Sequence, residues 1–203
     1  MRGRYDHALR EFQTALDSQH TCIGVRCIEA AMTLSNMGAT YLQLGDYARA
    51  QQVLEESLAL ELKLAPKLSL ANTLNNVGNC ANLRGKLNMS LRFYRAALED
   101  LMMKEGNEQD IANALFNIAR LEIQQNRMEE ARSALEGALK LAKQAYGPNH
   151  PFTAQTLDLK GFVQLCTGDY NAAMVSFTKA LGVLRRVHGP LHMDVANSLF
   201  NVS

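Results

Sequence analysis

Apolar residues recur along the chain at intervals of three and four positions, the spacing that places side chains on one face of an α-helix. Short turns rich in Gly, Pro and Asn separate the segments that have this spacing. No segment shows the alternation of apolar and polar residues typical of a half-buried strand. The pattern predicts an all-helical chain, with helices near residues 4–19, 25–44, 47–64, 68–84, 87–105, 109–125, 128–145, 151–167, 170–187 and 192–203.

The helical pattern is itself repeated along the chain. Aligned copies begin at Leu34, Leu74, Leu115 and Leu157, at intervals of 40, 41 and 42 residues. A further copy begins at Leu199, and half a copy precedes the first. We therefore expect a single array over residues 1–203, with a half repeat (1–22), repeats near 23–65, 66–107, 108–148 and 149–190, and a partial first helix (191–203).

Small and large residues occupy fixed places in every copy. The first helix of each copy carries one small residue, at Gly38, Gly78, Ala119 and Gly161. The second helix carries two, at Ala8, Ala50, Ser90, Ala131 and Ala173, and at Ala15, Ser57, Ala97, Ala138 and Ala180. Large residues expected to fill the space between helices are Phe12, Leu54, Tyr94, Leu135 and Phe177. Helix stops are expected at Gly3, Gly45, Gly85, Asn126 and Gly168, because Gly and Asn tolerate a left-handed backbone.

This pattern resembles the tetratricopeptide repeat, in which large, Gly, Tyr and Ala positions follow one another at set spacings. In the copy that begins at Leu34, the matching residues are Leu34, Met37, Gly38, Tyr41, Gly45, Tyr47, Ala50, Leu54 and Ser57. The resemblance covers almost the whole chain, although the repeat is longer than the usual length of about 34 residues. It implies an all-α, right-handed solenoid of antiparallel helix pairs.

Two groups of tetratricopeptide proteins with long repeats share further features with the chain. The linkers YGPNHPFTAQTL and HGPLHMDVANSL resemble those of the kinesin light chain, a cargo adaptor. The asparagine-containing first helices are similar to those of spindle-orientation adaptors. The chain departs from the repeat pattern at Lys160, which takes an apolar place, and at Ala81, Glu122 and Gln164, which replace the tyrosine matched by Tyr41.

Asparagines are concentrated in the stretch NTLNNVGNCANL, residues 72–83. Asparagine is a mediocre helix former, and the five in this stretch cost about 3 kcal/mol relative to alanine. At about 100° per residue, Asn72, Asn75, Asn76, Asn79 and Asn82 fall within one arc of about 120°, opposite the packing residues. The asparagines are therefore predicted to lie on the face that helix packing leaves free.

Equivalent positions in the other copies also hold polar or aromatic residues. In tetratricopeptide arrays the first helix of each pair lines the concave surface, so the resemblance places these residues in a groove. The candidate groove residues are Asn36, Asn72, Asn75, Asn76, Asn79, Asn113, Phe116, Asn117, Arg120, Asp158 and Phe162. Because a carboxamide both donates and accepts hydrogen bonds, a ladder of asparagines can hold an extended peptide backbone. In the adaptors named above, such a ladder does this.

Two alternatives are open for these asparagines. Their side chains could be merely solvated, or their carboxamides could form hydrogen bonds between adjacent repeats. Recurrence of the same residue in spite of its poor helix propensity favours peptide binding. A clamp for a terminal carboxylate, which uses several Lys and Arg, is not expected, because only Arg120 is basic among the positions compared.

Composition narrows the class of partner. The net charge is +1 at neutral pH, which gives no support for bulk attraction to nucleic acid or to membranes. No apolar run approaches the ~20 residues that span a bilayer, and no apolar segment of a signal peptide follows the basic N-terminal residues. Cys22, Cys27, Cys80 and Cys166 lack a metal-ligand spacing, so free thiols in a reducing, intracellular compartment such as the cytoplasm are expected.

Sequence motifs of catalysis or cofactor binding are not found, so neither an enzyme nor a cofactor is expected. His188 and His192 have the spacing of a metal-binding pair, but the intervening Gly189 and Pro190 indicate a linker instead. Two adjacent methionines, Met102 and Met103, are expected to pack at the end of a second helix.

The leading functional hypothesis is an adaptor or scaffold module that captures a peptide or helical segment of a partner protein in its groove. The alternative is an assembly subunit that associates with other chains, or with itself, through exposed end helices, because a repeat array needs its end faces covered. A regulatory domain of a larger protein is the third hypothesis. A monomeric mass in light scattering would favour groove binding.

Overall fold

The computed structural model describes residues 2–20, 26–64, 69–104, 107–189, 192, 193, 195 and 198. These residues contain nine main α-helices and no strand: α1 (Arg2–His20), α2 (Arg26–Leu44), α3 (Tyr47–Leu64), α4 (Ala71–Leu83), α5 (Leu87–Met103), α6 (Glu108–Gln124), α7 (Met128–Ala145), α8 (Pro151–Cys166) and α9 (Tyr170–His188). The all-helical prediction is confirmed, and the boundaries of these helices agree with it to within three residues. The tenth predicted helix, 192–203, lies largely outside the described residues.

The helices belong to two compact units, residues 1–106 and residues 107–203. In the first unit α2 pairs with α3 and α4 with α5, while α1 packs against α2. In the second unit α6 pairs with α7 and α8 with α9. Turns of two or three residues join the members of each pair, which makes them antiparallel. We call α2, α4, α6 and α8 the first helices of their pairs and α3, α5, α7 and α9 the second helices.

Each helix pair is closed by a large side chain of the second helix that packs onto a small residue of the first. Leu54 lies so near Gly38 that a Cβ atom on the glycine would be 2.4 Å from the Leu54 Cγ. The same contact recurs between Gly78 and Tyr94 and between Gly161 and Phe177. These large side chains are almost fully buried. The small and large positions predicted from the repeat therefore do meet, because a residue without Cβ lets the helices approach.

Serine at a small position remains hydrogen-bonded although it is buried. Ser57 on α3 donates from Oγ to the Ala31 carbonyl oxygen of α2 at 2.6 Å. Ser90 on α5 donates in the same way to the Gly78 carbonyl oxygen of α4 at 2.7 Å. Each hydroxyl thus binds the first helix of its own pair, which removes the cost of burying an unpaired polar group.

The turns between paired helices have the backbone conformation predicted for them. The φ angle is positive at Gly45, Gly85, Asn126 and Gly168, which follow the first helices. Only Asn126 among these carries a side chain, at φ 59°, and asparagine tolerates that region better than other residues with a Cβ. The prediction for Gly3 is wrong, because Gly3 lies inside α1.

The position of Tyr41 is filled differently in each pair. Tyr41 packs against apolar clusters that include Leu16 and Leu54. Ala81, at the same place on α4, borders a small, mostly apolar pocket of about 40 Å³ between α3, α4 and α5. Gln164 on α8 accepts a 2.7 Å hydrogen bond from Ser176. At these two positions the departure from the repeat pattern leaves a gap beside Ala81 and a half-buried, hydrogen-bonded side chain at Gln164.

The fourth occupant of this position, Glu122 on α6, is 1% exposed. Its carboxylate is paired with Arg127, the residue that immediately precedes α7. Arg127 takes the place held by Asp46 before α3 and by Asp169 before α9, where each aspartate accepts a backbone N–H of the second helix. A buried acid and a base at the next helix start therefore occur together in this pair.

The expectation that Met102 and Met103 pack at the end of α5 is wrong. Their side chains are 67% and 85% exposed, whereas the preceding Leu101 is buried. Each step along a helix rotates the side chain by about 100°, so the residues after Leu101 turn away from the core.

Candidate functional site

In the first unit, the predicted polar face lies on α2 and α4, and its asparagines differ in exposure. Asn36 and Asn72 are exposed, and their carboxamides form no hydrogen bond to other described residues. Asn75, Asn76 and Asn79 are half-buried. The carboxamides that would be accessible to a partner in this unit are therefore those of Asn36 and Asn72.

The carboxamides of Asn75, Asn76 and Asn79 on α4 face the protein. The Asn76 Nδ2 donates to the Ser35 Oγ of α2 at 3.2 Å, a hydrogen bond between successive first helices. The Asn79 Oδ1 accepts from the Tyr94 hydroxyl of α5 at 2.5 Å. The Asn75 Oδ1 is buried and accepts no hydrogen bond from the residues that the structure describes. For Asn76 the structure thus agrees with the alternative in which a carboxamide bridges repeats.

The bond from Asn76 is one link in a chain of hydrogen bonds that ends at a carboxylate. The Thr73 hydroxyl lies 2.9 Å from Glu61 Oε1 and 3.0 Å from Ser35 Oγ. A hydroxyl has one proton, and the ionised carboxylate can only accept, so Thr73 donates to Glu61. Ser35 must then donate to Thr73 and accept from Asn76. The direction of every bond is set by the Glu61 carboxylate.

A pocket of about 300 Å³ opens beside this chain, between α2, α4 and the end of α3. We call it the Glu61 pocket, and it is lined by Ile28, Met32, Ser35, Asn36, Glu61, Ser69, Leu70, Asn72 and Thr73. It therefore contains both exposed asparagines of the α2 and α4 face, together with Met32, which is 59% exposed.

Two acids lie at this end of the first unit. Burial raises the pKa of Glu61 above its ordinary value, the Thr73 hydroxyl opposes that change, and the negative charge of Asp100 adds to it. Burial alone would also raise the pKa of Asp100. Hydrogen bonds from Lys104, Ser69 and the Leu70 N–H outweigh this effect, so the pKa of Asp100 lies below its ordinary value. Asp100 is thus compensated by partners, whereas one buried Glu61 oxygen has none within the described ranges.

Glu61, Thr73 and Asp100 were not among the residues predicted for the site, although the repeat carries a signal for the two acids. The equivalents of Glu61 in the other pairs are the buried residues Leu101, Ala142 and Leu184. Those of Asp100 are Leu60, Leu141 and Val183. A carboxylate at an apolar register position marks a local change of chemistry that an alignment of the repeats alone could have shown.

In the second unit, the predicted residues Asn113, Asn117 and Arg120 lie on α6. Asn113 Nδ2 is 3.4 Å from the Tyr146 hydroxyl, to which it donates a long hydrogen bond. Asn117 is half-buried, and its carboxamide makes no hydrogen bond within the described part of the chain. Arg120 is exposed, as is Phe162 on α8, whose exposed fraction is 38%. Asn117, Arg120 and Phe162 remain the accessible candidates in this unit.

Phe116 and Asp158, which were predicted to face the groove, lie at joints between repeats instead. Phe116 packs on Phe152 of α8, with ring centroids 5.3 Å apart. Asp158 accepts a 3.2 Å hydrogen bond from Ser198, forty residues further along the chain. Both share the register of Ser35, which binds α4. This position turns toward the next first helix, so its side chains stabilise the stack.

The remaining residues of chemical interest are the histidine pair and the cysteines. The rings of His188 and His192 are stacked, with centroids 4.3 Å apart. Among the described residues, no group of three or more His, Cys, Asp and Glu side chains could hold a metal ion. Cys80 is buried and Cys166 exposed, and both are free thiols. In the same part of the chain, no helix combines the length and the apolar character needed to cross a bilayer.

Comparison with known proteins assigns the family. The model of the tetratricopeptide repeat matches residues 1–63, 29–103 and 110–184. The chain therefore belongs to the tetratricopeptide repeat family, as the sequence pattern predicts. Repeats of this family serve generally in protein interaction or as scaffolds. No curated protein sequence matches the chain significantly.

Solved structures of similar fold include several repeat proteins. BtubC (BKLC) from P. vanneervenii has a TM-score of 0.83 at 17% identity, covering 98% of this chain and 81% of that one. The apo form of RapI has a TM-score of 0.82 at 15% identity, with 99% and 76% covered. A kinesin light chain-type protein of Podosopora anserina with nearly identical repeats has a TM-score of 0.71 at 12% identity, with 92% and 90% covered. At these identities the likeness establishes the all-α solenoid fold alone.

Proposed function

We propose that the chain is a non-catalytic adaptor module that captures a peptide or helical segment of a partner protein on its first helices. The observation that carries this proposal is the set of carboxamides at Asn36, Asn72 and Asn117. These side chains face outward or are half-buried, and none forms a hydrogen bond within the described residues. Asparagine lowers helix stability at such positions, so binding is a reason for its presence.

The neighbours of these carboxamides would supply affinity and selectivity. A peptide backbone offers alternating donors and acceptors, which a carboxamide can pair at the same time. Met32 in the first unit and Phe162 in the second offer apolar contact area, since both are exposed. Arg120 adds a positive charge on the α6 face. Recognition would therefore combine backbone hydrogen bonds with a few side-chain contacts in each unit.

The proposal is tested by selecting random 15-residue peptides on the intact chain and measuring the affinity of the selected peptides for variants. Variants Asn36→Ala/Asn72→Ala and Asn117→Ala/Arg120→Ala remove the candidate contacts of one unit each. Loss of a well-formed hydrogen bond costs about 1–3 kcal/mol, so at least a fivefold loss of affinity is expected for one of the two variants.

Matched controls come from the outward faces of second helices. Glu56 on α3 and Glu136 on α7 are exposed, and Glu56→Ala/Glu136→Ala should leave the affinity unchanged. Selected peptides that bind equally well to both groove variants would contradict the proposal. Selected peptides that lose affinity for the outer-face variant would move the binding surface to the second helices.

A further inference from the structure

The Glu61 pocket combines a negative charge with an opening of the size of one long side chain. Among the described residues that line it, Glu61 alone is charged, and the other polar groups are neutral hydroxyls and carboxamides. The neighbouring acid, Asp100, is paired with Lys104 at 2.6 Å. The second acid is therefore neutralised, whereas Glu61 forms no ion pair within the described part of the chain.

One oxygen of Glu61 has no hydrogen-bond donor among the described residues. Oε1 accepts from Thr73, whereas the buried Oε2 accepts from no residue in that part of the chain. The protons of the Thr73 and Ser35 hydroxyls are already used along the chain that begins at Asn76, so neither can turn to Oε2. Buried carboxylate oxygens normally accept hydrogen bonds from the protein, because burial removes their hydrogen bonds to water and an unpaired oxygen gains none in exchange. The missing donors must come from outside the described residues.

We propose that the Glu61 pocket binds the cationic side chain, arginine or lysine, of a partner segment held on α2 and α4. This rests on the proposed function and adds a chemical requirement on the partner. A guanidinium or ammonium group would donate to the carboxylate in a charge-assisted hydrogen bond after a small rotation about the Glu61 Cγ–Cδ bond. The methylene stem would lie against Met32, while Asn36 and Asn72 at the rim would bind the adjoining backbone.

Other classes of ligand fit this pocket less well. An anion would be repelled by Glu61, and an apolar side chain would leave the carboxylate desolvated and unpaired. A metal ion would find a single carboxylate among neutral oxygens, where divalent cations normally require several ligands of higher charge. The pocket volume of about 300 Å³ lies at the small end of ligand sites, which suits one side chain.

The test is an NMR titration of the ¹⁵N-labelled intact chain with N-acetyl-arginine N-methylamide. The matched probe is the corresponding citrulline compound, which has nearly the same shape but no charge. We expect saturable shifts of the Met32, Asn36 and Asn72 amide signals with arginine, at a Kd on the order of a few millimolar. Citrulline should bind at least fivefold more weakly.

Variants separate the Glu61 carboxylate from the remaining charge of the protein. Glu61→Gln should weaken arginine binding at least fivefold, whereas Glu56→Gln, the same change on the exposed face of α3, should leave it unchanged. Absence of saturable shifts, equal binding of citrulline, or full binding by the Glu61→Gln variant would each overturn the proposal.

The pH dependence gives a further readout. Arginine binding should weaken as the pH falls through the pKa of Glu61, because protonation removes the charge that attracts the probe. Asp100, whose charge acts on Glu61, has a lowered pKa and therefore stays ionised while Glu61 takes up its proton. Binding that is independent of pH would contradict the role of Glu61.

Failure of the pocket proposal and failure of the adaptor proposal give different results. If selected peptides bind through Asn72 or Asn117 but neither contain a basic residue nor respond to Glu61→Gln, only the pocket proposal is wrong. If the capped arginine binds but no peptide does, the pocket stands and the adaptor proposal is wrong.

Discussion

The Asn76 carboxamide donates a 3.2 Å hydrogen bond to the Ser35 hydroxyl, and this bond joins two successive first helices. Asn117 occupies the same repeat position on α6, yet its carboxamide binds no other described residue. One residue type at one repeat position thus has two different environments. An asparagine ladder cannot be treated as a single functional element.

The two asparagines should respond differently to alanine. Both substitutions gain the same helix propensity, about 0.6 kcal/mol, so their difference isolates the hydrogen bond. We expect the Asn76→Ala chain to have a lower free energy of unfolding than the Asn117→Ala chain by about 1 kcal/mol. Urea unfolding followed by circular dichroism measures this. Equal stabilities would show that the bond to Ser35 contributes nothing.

Glycines in the second unit should separate into two kinds. A Cβ at Gly161 would lie 2.7 Å from the Phe177 ring, whereas a Cβ at Gly182 would meet no atom of the described residues within 4 Å. Gly161→Ala should therefore destabilise the protein by about 1–3 kcal/mol, and Gly182→Ala should stabilise it by about 0.5–1 kcal/mol. Thermal unfolding of both variants checks the signs. Stabilisation by Gly161→Ala would contradict the close approach of α8 and α9.

The buried pair of Glu122 and Arg127 should show strong coupling. Arg127→Asp alone leaves two negative charges near each other, and it should lower the free energy of unfolding by about 2–4 kcal/mol. The loss stays below the largest values for broken buried ion pairs because the Arg127 side chain is 37% exposed. Glu122→Met added to Arg127→Asp removes the buried charge and restores the aspartate found before α3 and α9. The double variant should recover most of the loss. A double-mutant cycle with additive effects would contradict this.

The stability contribution of Asp100 should depend on pH. Its pKa is lower in the folded chain than in the unfolded chain, so the folded state binds fewer protons over that range. The contribution is complete above the unfolded value, near 3.9, and disappears as the pH falls through the folded pKa. Asp100→Asn should therefore destabilise the protein at pH 7 and much less near pH 2. Melting at both pH values measures the difference, and an equal loss at both would contradict it.

Glu61→Leu tests whether the acid is kept for function at the expense of stability. Leucine stands at this register in α5 and α9, where Leu101 and Leu184 are buried. We expect the melting temperature to rise, because an incompletely paired carboxylate is replaced by an apolar side chain. Glu56→Leu on the exposed face is the control and should give no rise. A lower melting temperature for Glu61→Leu would make the hydrogen-bonded chain a structural element.

The sequence by itself determined the helices, their pairing partners and the family. Positions such as Gly38 and Leu54 repeat in register, and helical spacing turns that register into contacts, so local pattern and tertiary packing agree. The turns at Gly45 and Asn126 could also be predicted from the sequence, because only a few residue types tolerate a backbone with positive φ. The exception was Gly3, which lies in the first turn of α1 and not in a turn between helices.

The tertiary structure alone decided which polar residues are available. Helical periodicity assigns Asn72, Asn76 and Asn79 to one face, but it does not show which neighbouring helix reaches that face. Ser35 and Tyr94 come from other helices and engage two of these carboxamides. Likewise, Glu61 joins Thr73 only because the end of α3 packs beside α4. A hydrogen bond depends on distances of a few tenths of an ångström between distant parts of the chain, and a one-dimensional pattern does not contain them.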